Sequence, residues 1–350
     1  MSPTLHSEPG ATPQPLAQAL TKPPAAPSAE KPVCADRTDL LGVSRVVEID
    51  TTTGPRFGDQ YLHRGETHFL EDYEVILTFD DGPLRRYTVP ILDALDAQCT
   101  KATFFSVGRM AVADPAMLRE VAARGHTIGT HTWSHKKLSQ LGSAELKNEV
   151  ELGLSAVAKA AGVPIAPFFR FPYLGDSKAG LAYVESRGIG IFGIHVDSSD
   201  FRTRSPGTVL RNVMSQLEHE KKGIILFHDI QPSTAGALTS MLAELKTRGF
   251  KIVHMIPKAS VSTLPEYDAK AERALKGKET IATTSPLAPR AATWPVAGDV
   301  AAAANSEGTN TDAIAPASIQ PTKRKQRPAT STDEDAASSE GSWFTNPFAQ

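Results

Sequence analysis

Short apolar runs alternate with amphipathic helical segments between residues 66 and 258. The apolar runs are rich in β-branched and aromatic residues, which favours buried strands over helices. Seven strands are predicted, at residues 74–79, 101–107, 126–130, 167–171, 190–196, 223–227 and 250–254. A repeated strand–helix order predicts an α/β fold built on parallel strands.

The segments between these strands carry the marks of helix starts and ends. Asp114 followed by Pro115 is typical of an N-cap and the first helical position. Ser143 is predicted to cap a second helix, whose apolar residues recur at helical spacing until Gly162. Seven strands with six crossovers fit a closed or nearly closed parallel barrel, or an open doubly wound sheet. Counting strands does not choose between these two folds.

The composition changes on both sides of this region. Residues 1–32 and 281–350 are rich in proline, alanine, serine and threonine, so they lack the apolar surface that offsets chain entropy. We expect both segments to be disordered tails. Residues 33–69, broken by glycines and a proline, are predicted to form an irregular strap over a domain at 70–258. Residues 259–280 are interpreted as a domain edge or a linker.

Composition and charge narrow the functional class. Of the 350 residues, 40% are hydrophobic and 22% are charged, and the formal net charge is -2. This balance gives no general attraction for nucleic acid or anionic membranes. No apolar run approaches the roughly 18 residues of a membrane span. The two cysteines, Cys34 and Cys99, fit either two free thiols or one disulfide.

Polar residues cluster directly after the predicted strands, where parallel α/β folds build their active sites. Asp80 and Asp81 end the first strand, and adjacent side chains on an extended segment point in different directions. One carboxylate can therefore bind a metal while the other faces a substrate. His131 and His135 follow the third strand, and their spacing lets two imidazoles bind a single ion.

Each of these features also has a purely structural interpretation. The two aspartates could form a surface turn, and the two histidines could be unrelated surface residues. Their coincidence at one end of the same fold favours a metal site instead. Two histidines and one aspartate leave coordination positions for water and substrate, which is typical of a catalytic site.

Three later strands end in residues suited to acid–base chemistry. Arg170 follows the fourth strand, Asp197 the fifth, and His228 ends the sixth. Separately they could be half of an ion pair, a helix cap and a buried core histidine. Together they offer an arginine that orients a carboxylate and a carboxylate that orients a histidine.

This series of motifs resembles the polysaccharide deacetylases, the NodB-homology or carbohydrate esterase family 4 domain, over residues 70–258. The resemblance implies the family's distorted (β/α)7 barrel. It also implies that Asp80 is the catalytic base and that Asp81 is a metal ligand. In the same way, His131 and His135 match the family's two metal histidines.

The resemblance assigns the remaining acid–base residues. Arg170 would orient Asp80, the base. Asp197 would tune His228, the catalytic acid. The backbone N–H of Tyr173 would help to hold the oxyanion of the tetrahedral intermediate.

The substrate pocket is implied in the same way. Leu226, Phe201 and Pro172 would line the space for the acetyl group. The family commonly has tryptophan where Phe201 stands here. Phenylalanine keeps an apolar wall but removes the indole N–H donor, so the shape of this pocket is expected to differ.

The sequence thus predicts a metal-dependent hydrolase that removes N-acetyl groups from an amino sugar polymer, either peptidoglycan or a chitin-like oligosaccharide. Zinc is the first choice of divalent metal, with cobalt, manganese or nickel as alternatives. Two other functions stay open: a small-molecule amide or imide hydrolase, and an inactive carbohydrate-binding domain. A cell-wall substrate implies a periplasmic or secreted protein. The first residues show no export signal, so a cytoplasmic protein is the alternative.

Overall fold

A computed structural model describes residues 34, 37–58 and 68–284. Within these residues the chain forms ten strands and eight α-helices. The strands are β1 (Arg45–Ile49), β2 (Arg56–Phe57), β3 (Glu74–Asp80), β4 (Thr103–Ser106), β5 (Thr127–Thr130), β6 (Phe168–Phe169), β7 (Gly190–Phe192), β8 (Val196–Asp197), β9 (Gly223–His228) and β10 (Lys251–Pro257). The helices are α1 (Arg85–Ala97), α2 (Gly108–Ala113), α3 (Pro115–Ala123), α4 (Ser143–Ala161), α5 (Lys178–Ser186), α6 (Pro206–Glu220), α7 (Pro232–Thr247) and α8 (Pro265–Thr284). Short 3₁₀ helices lie at Leu138–Gln140, Pro172–Leu174 and Asp200–Arg202.

The strands pair in parallel and close into a distorted barrel. β3 pairs with β9 on one side and with β4 on the other, and the order continues through β5, β6 and β7. The chain from 190 to 197 starts as β7 beside β6 and ends as β8 beside β9. One bent segment therefore completes the ring, and the predicted parallel α/β barrel is confirmed.

The seventh predicted strand departs from the expected ring. β10 pairs with β3 only at residues 251 and 252, and it then pairs with β1 at five positions. β1 and β2 lie in the segment predicted to be an irregular strap. Little in the sequence indicated these two strands. β2 has only two residues, and in β1 the apolar Val46 is 55% exposed, which breaks the alternation of apolar and polar residues expected for a half-buried strand.

Alternation along β3 separates two layers of the core. Val75, Leu77 and Phe79 belong to the large cluster between the strands and the surrounding helices. Ile76 belongs to a second cluster that collects residues from the inner faces of several other strands. Both faces of β3 are therefore buried, as is typical of parallel sheets. The same alternation places Asp80 on the inner face, at the last position of the strand.

Of the two predicted helix caps, the one at Asp114 is confirmed and the one at Ser143 is wrong. The Asp114 side chain accepts a hydrogen bond from Met117 N at 3.0 Å, which caps α3. Helix α4 begins at Ser143, which is its first helical residue; Gly142 lies at the N-cap position, and no side chain accepts a capping hydrogen bond there. The helix ends before Gly162, as predicted, and the φ of 68° at this residue suits glycine.

The segment predicted to be a domain edge or a linker contains a helix. Helix α8 packs against α4, with Ala271 buried and Glu272 paired to Lys159 at 2.9 Å. It continues to Thr284, four residues into the predicted C-terminal tail. The other residues of that tail, and residues 1–32, lie outside the described part of the chain.

The beginning of the described chain is tied to the domain by a disulfide. Cys34 and Cys99 are bonded, with their Cα atoms 5.5 Å apart, a usual separation for a disulfide. Nearby, Gly42 N donates a hydrogen bond to Gln98 O at 2.9 Å. None of the helices in the described residues combines the length and the apolar character that a bilayer crossing requires.

Candidate active site

The carboxyl ends of the parallel strands bring the predicted site residues to one end of the barrel. Asp80 is the last residue of β3, and His228 is the last residue of β9, directly opposite it in the register. His131 follows β5, and Arg170 follows β6. We call this end of the barrel the mouth. The sequence placed these residues on separate strands, and the parallel topology joins them.

Asp81, His131 and His135 form a cluster suited to a metal ion, with their ligand atoms all within 4.8 Å of one another. Asp81 Oδ1 lies 3.3 Å from His135 Nε2 and 3.7 Å from His131 Nε2. Two ligands of a tetrahedral zinc ion would lie about 3.4 Å apart, given bond lengths of about 2.1 Å. Asp81 Oδ1 is also buried without a hydrogen-bond partner among the described residues. An unpartnered acceptor beside two imidazole nitrogens fits a divalent cation.

The protonation state of the two histidines also suits a metal. His131 Nδ1 lies 2.7 Å from the carbonyl oxygen of Arg170, so Nδ1 carries the proton and Nε2 keeps its lone pair. Burial lowers the pKa of His131 well below its usual value and lowers the pKa of His135 as well. Neutral imidazole is the form that binds metal ions.

Asp80 and Arg170 form a buried ion pair on the inner wall of the barrel. Asp80 is 2% exposed, and its Oδ1 accepts a hydrogen bond from Arg170 Nη1 at 2.8 Å. The guanidinium also donates to Thr78 Oγ1 and to the carbonyls of Phe192 and Gly193, at 2.8–3.0 Å. Four hydrogen bonds fix Arg170 in one orientation, so it holds the carboxylate in place.

The environment of Asp80 makes it a better base than an exposed carboxylate. Burial raises the pKa of Asp80 to about 6, although the positive charge of Arg170 acts to lower it. A carboxyl group in this range is still largely ionised at neutral pH, and it accepts a proton more readily than an ordinary aspartate does.

His228 is held by Asp200, not by Asp197. Asp200 Oδ1 lies 2.7 Å from His228 Nδ1, and its Oδ2 accepts a hydrogen bond from His228 N at 2.8 Å. Burial of the imidazole acts to lower its pKa, but the carboxylates of Asp200, Asp81 and Asp80 outweigh burial and raise it to about 10. His228 is therefore protonated at neutral pH, as a general acid must be.

The expectation for Asp197 is corrected by the path of the chain. Asp197 ends β8, and its Oδ1 accepts a hydrogen bond from Ser199 N at 2.7 Å, within its own turn. The left-handed φ of 51° at Ser199 then turns the chain, so that the buried Asp200 points inward. The second acid of the run Asp-Ser-Ser-Asp was visible in the sequence, but its spacing alone did not show which acid faces the histidine.

Two aromatic side chains lie next to histidines of the mouth, and one of them is the predicted pocket residue Phe201. Leu226 is buried on β9, and Phe201 is 50% exposed with its ring 5.7 Å from the His228 ring. On the other side, the ring of Tyr173 lies 4.6 Å from the ring of His135 and is 66% exposed. Two exposed aromatic side chains thus flank the mouth.

The turn that carries Tyr173 begins at a buried proline. Pro172 starts the 3₁₀ helix Pro172–Leu174 and is buried. Tyr173 itself has a left-handed φ of 59°. Such a conformation is uncommon outside glycine and sets the direction of the backbone N–H that the sequence analysis assigned to the oxyanion.

Comparison with known proteins agrees with this architecture. The family model described as polysaccharide deacetylase matches residues 70–191. A chitin deacetylase of Colletotrichum lindemuthianum is 30% identical over 192 residues, which cover 51% of this chain and 76% of that protein. The chain belongs to the polysaccharide deacetylase family. The family predicted from the motifs is thereby confirmed.

Two other relatives show how far the similarity extends. A peptidoglycan-N-acetylglucosamine deacetylase of Listeria monocytogenes is 32% identical over 179 residues, covering 51% of this chain but only 37% of the relative. The chain thus matches little more than a third of that protein's length. A solved structure of a Bdellovibrio bacteriovorus peptidoglycan deacetylase aligns with a TM-score of 0.56 and 34% identity, covering 64% of this chain and 61% of that chain.

Proposed function

We propose that the protein is a metal-dependent hydrolase that removes N-acetyl groups from an amino sugar polymer. One observation carries the proposal: a single mouth holds a three-residue metal-binding cluster, a buried carboxylate fixed by an arginine, and a cationic histidine fixed by a second carboxylate. Hydrolysis of an unactivated amide needs three such elements: a Lewis acid, which a metal in the cluster would supply, a general base and a general acid.

Asp81, His131 and His135 would hold the divalent ion, and zinc suits their donor set best. When bound there, the ion supplies a Lewis acid for the acetyl carbonyl and acidifies the attacking water. Asp80 is the residue that accepts the proton of the attacking water. Its Oδ2 lies 3.7 Å from Nε2 of His131, so the carboxylate is next to the metal-binding cluster. Arg170 keeps the Asp80 carboxylate oriented during the transfer.

The second proton transfer belongs to His228. Attack of water on the acetyl carbon gives a tetrahedral intermediate, and the amine leaves only when its nitrogen is protonated. His228 donates that proton, and Asp200 stabilises the imidazolium beforehand. The backbone N–H of Tyr173 is proposed to donate a hydrogen bond to the oxyanion. Leu226, Phe201 and Pro172 are proposed to enclose the methyl group of the acetyl.

The form of the mouth favours a sugar chain over a small amide. Tyr173 presents an exposed ring beside His135 and Phe201 presents one beside His228, where rings of an extended sugar chain could stack. An enclosed pocket for a small molecule would instead bury such side chains. The relatives are named as deacetylases of peptidoglycan and of chitin, which supports an amino sugar polymer as substrate. Such cell-wall substrates support a site of action outside the cytoplasm.

Acetate release is the direct test. The full chain is stripped with a chelator, reloaded with zinc, cobalt, manganese or nickel, and assayed on acetylated chitooligosaccharides and on peptidoglycan. We expect one metal equivalent per chain and acetate from at least one of the two substrates. Metal-loaded protein that binds the polymers but releases no acetate would indicate a carbohydrate-binding domain. Activity confined to small amides or imides would indicate the other alternative.

A further inference from the structure

Two buried carboxylates that are not part of the metal cluster contact the two turns that carry its ligands. Asp229 is 1% exposed and follows His228, whereas Glu149 is 2% exposed and lies in α4. The proposed reaction uses neither of them. Burying a carboxylate is costly unless hydrogen-bond donors surround it. The groups that donate hydrogen bonds to each carboxylate therefore indicate its role.

Asp229 holds the turn that carries Asp81. Its Oδ1 accepts a hydrogen bond from Gly82 N at 2.9 Å, and its Oδ2 accepts one from Thr88 Oγ1 at 2.7 Å. The same hydroxyl accepts a hydrogen bond from Leu84 N at 2.9 Å. A Cβ atom at Gly82 would lie 2.0 Å from Asp229 Oδ2, so the carboxylate rests directly on the backbone of this turn.

Glu149 holds the loop that carries the two histidines in the same way. Its Oε2 accepts a hydrogen bond from Ser134 N at 2.8 Å, and its Oε1 accepts one from Ser134 Oγ at 2.7 Å. The Glu149 carbonyl also accepts a hydrogen bond from Trp133 N at 2.8 Å. One residue thus binds two consecutive N–H groups of the segment between His131 and His135.

Both turns contain residues in left-handed backbone conformations. The φ angles are 77° at Asp81, 67° at Thr132 and 61° at His135. A positive φ is uncommon outside glycine and exceptional for a β-branched residue such as threonine. Such conformations are strained, and they persist only where neighbouring groups fix them.

We infer that Asp229 and Glu149 are positioning residues of the metal site, each fixing a strained turn so that its ligand atoms are in place before the metal binds. The inference rests on the metal site of the proposed function. Glu151 provides the contrast, because it is equally buried but binds Tyr183 Oη and Arg187 Nε, both at 2.6 Å, and neither bond involves a ligand turn.

A positioning role predicts weaker metal binding, with little change in the chemical step once the metal is bound. Replacement of groups that orient metal ligands typically costs 10- to 100-fold in affinity. We therefore expect Asp229→Ala and Glu149→Ala to weaken zinc binding by about that factor. At saturating zinc, kcat should stay within a few-fold of wild type, because neither residue touches the reacting atoms.

The experiment measures zinc affinity of the full chain by competition with a chromophoric chelator, together with the melting temperature of the metal-free protein. Asp81→Ala is the benchmark for loss of a ligand, and Glu151→Ala is the matched control for loss of a buried carboxylate. The control should lower the melting temperature of the metal-free protein but bind zinc within about twofold of wild type. Asp229→Asn and Glu149→Gln keep one acceptor oxygen for the backbone N–H, and they should recover most of the affinity.

Milder variants keep the test decisive if an alanine variant does not fold. Thr88→Val and Ser134→Ala each remove one hydrogen bond to these carboxylates and should weaken zinc binding about fivefold. Zinc binding that survives Asp81→Ala unchanged would count against the proposed metal site itself. If Asp81→Ala abolishes binding but folded variants at Asp229, Glu149, Thr88 and Ser134 all bind zinc like wild type, the positioning role is wrong. An equal loss in Glu151→Ala would also refute it.

Discussion

Two pairs of histidines lie at opposite ends of the barrel; three of the four are buried and His135 is half-buried, and only one pair belongs to the candidate site. His131 and His135 lie at the mouth. His126 directly precedes β5, and His254 in the middle of β10 contacts Thr127 at the start of β5; both line a groove of about 540 Å³. Burial lowers the pKa of His126 to about 3 and that of His254 to about 4, and it lowers the pKa of both mouth histidines too. Burial and a lowered pKa therefore do not distinguish a metal site.

The difference lies in the partners of the ring nitrogens. At the opposite end, His126 Nδ1 accepts a hydrogen bond from Ala102 N at 3.2 Å, so its proton lies on Nε2 and no lone pair is left for a metal. His254 Nε2 is already paired with Thr127 Oγ1 at 3.0 Å. At the mouth, Asp81 supplies a third ligand atom with no competing donor. In the described residues, Asp81, His131 and His135 are the one such cluster of three.

The largest effect should come from Asp80→Asn, which tests whether the mouth holds a base as well as a metal. The amide has nearly the same size but cannot accept the proton of water, so kcat for acetate release should fall by about 10²–10⁴-fold. Zinc should still bind with one equivalent per chain, because Asp80 is not one of the three ligands. Loss of zinc from Asp80→Asn would show that Asp80, not only Asp81, is a ligand.

The next effect is on metal affinity and compares the two histidine pairs directly. Asp81→Ala removes one of three protein ligands, so zinc should bind at least about 100-fold more weakly, and excess zinc should partly restore activity. His254→Ala, at the opposite end, should leave zinc affinity unchanged. Chelator competition on both variants measures this. Weaker zinc binding in the His254 variant would indicate a metal site at the opposite end and would contradict the comparison made from the hydrogen bonds.

Sequence patterns predicted the parallel strands and the polar residues at their ends because both depend on local order, whereas the closed barrel was implied by the family resemblance. The seven predicted strands all appear, since fully buried parallel strands read as continuous apolar runs. The pairing of β10 with β1 could not be predicted, because strand order depends on contacts distant in sequence. The polar residues at the ends of these strands were found in the same way, because each one directly follows an apolar run in the sequence.

The sequence analysis missed the residues whose contacts depend on how nearby turns orient the backbone. Asp197 and Asp200 are three positions apart, and only the turn at Ser199 decides which of them faces His228. Asp229 and Glu149 were missed because a buried carboxylate that binds backbone N–H groups has no sequence motif of its own. Their roles depend on φ angles at other residues, which no residue pattern in a single sequence displays.

A smaller effect is expected from the exposed aromatic residues of the mouth. Phe201→Ala removes a half-exposed ring beside His228, so KM for an acetylated oligosaccharide should rise by a few-fold, as expected for about 1 kcal/mol of stacking. Tyr73→Ala is the control, because Tyr73 is also exposed but lies at the amino end of β3. Initial rates over a range of substrate concentrations separate KM from kcat. Equal KM changes in both variants would argue against substrate stacking at the mouth.

The smallest effect on function, and a distinct effect on stability, should come from His126→Gln. Because the pKa of His126 is about 3 in the folded protein and 6.5 ordinarily, protonation favours unfolding. Its neutral form contributes fully to stability above pH 6.5, and that contribution is lost as the pH falls from 6.5 toward 3. Between pH 7.5 and pH 5 this amounts to at most about 2 kcal/mol of unfolding free energy.

The variant has no imidazole to titrate at position 126, so it should lose less stability than wild type over that interval. Denaturant unfolding at both pH values measures the difference, and His219→Gln, at an exposed side chain, is the control for replacing a histidine at the surface. An unchanged pH dependence in His126→Gln would mean that the histidine at this end is not buried in its neutral form, and a change in zinc affinity or kcat would mean that the two ends of the barrel are coupled.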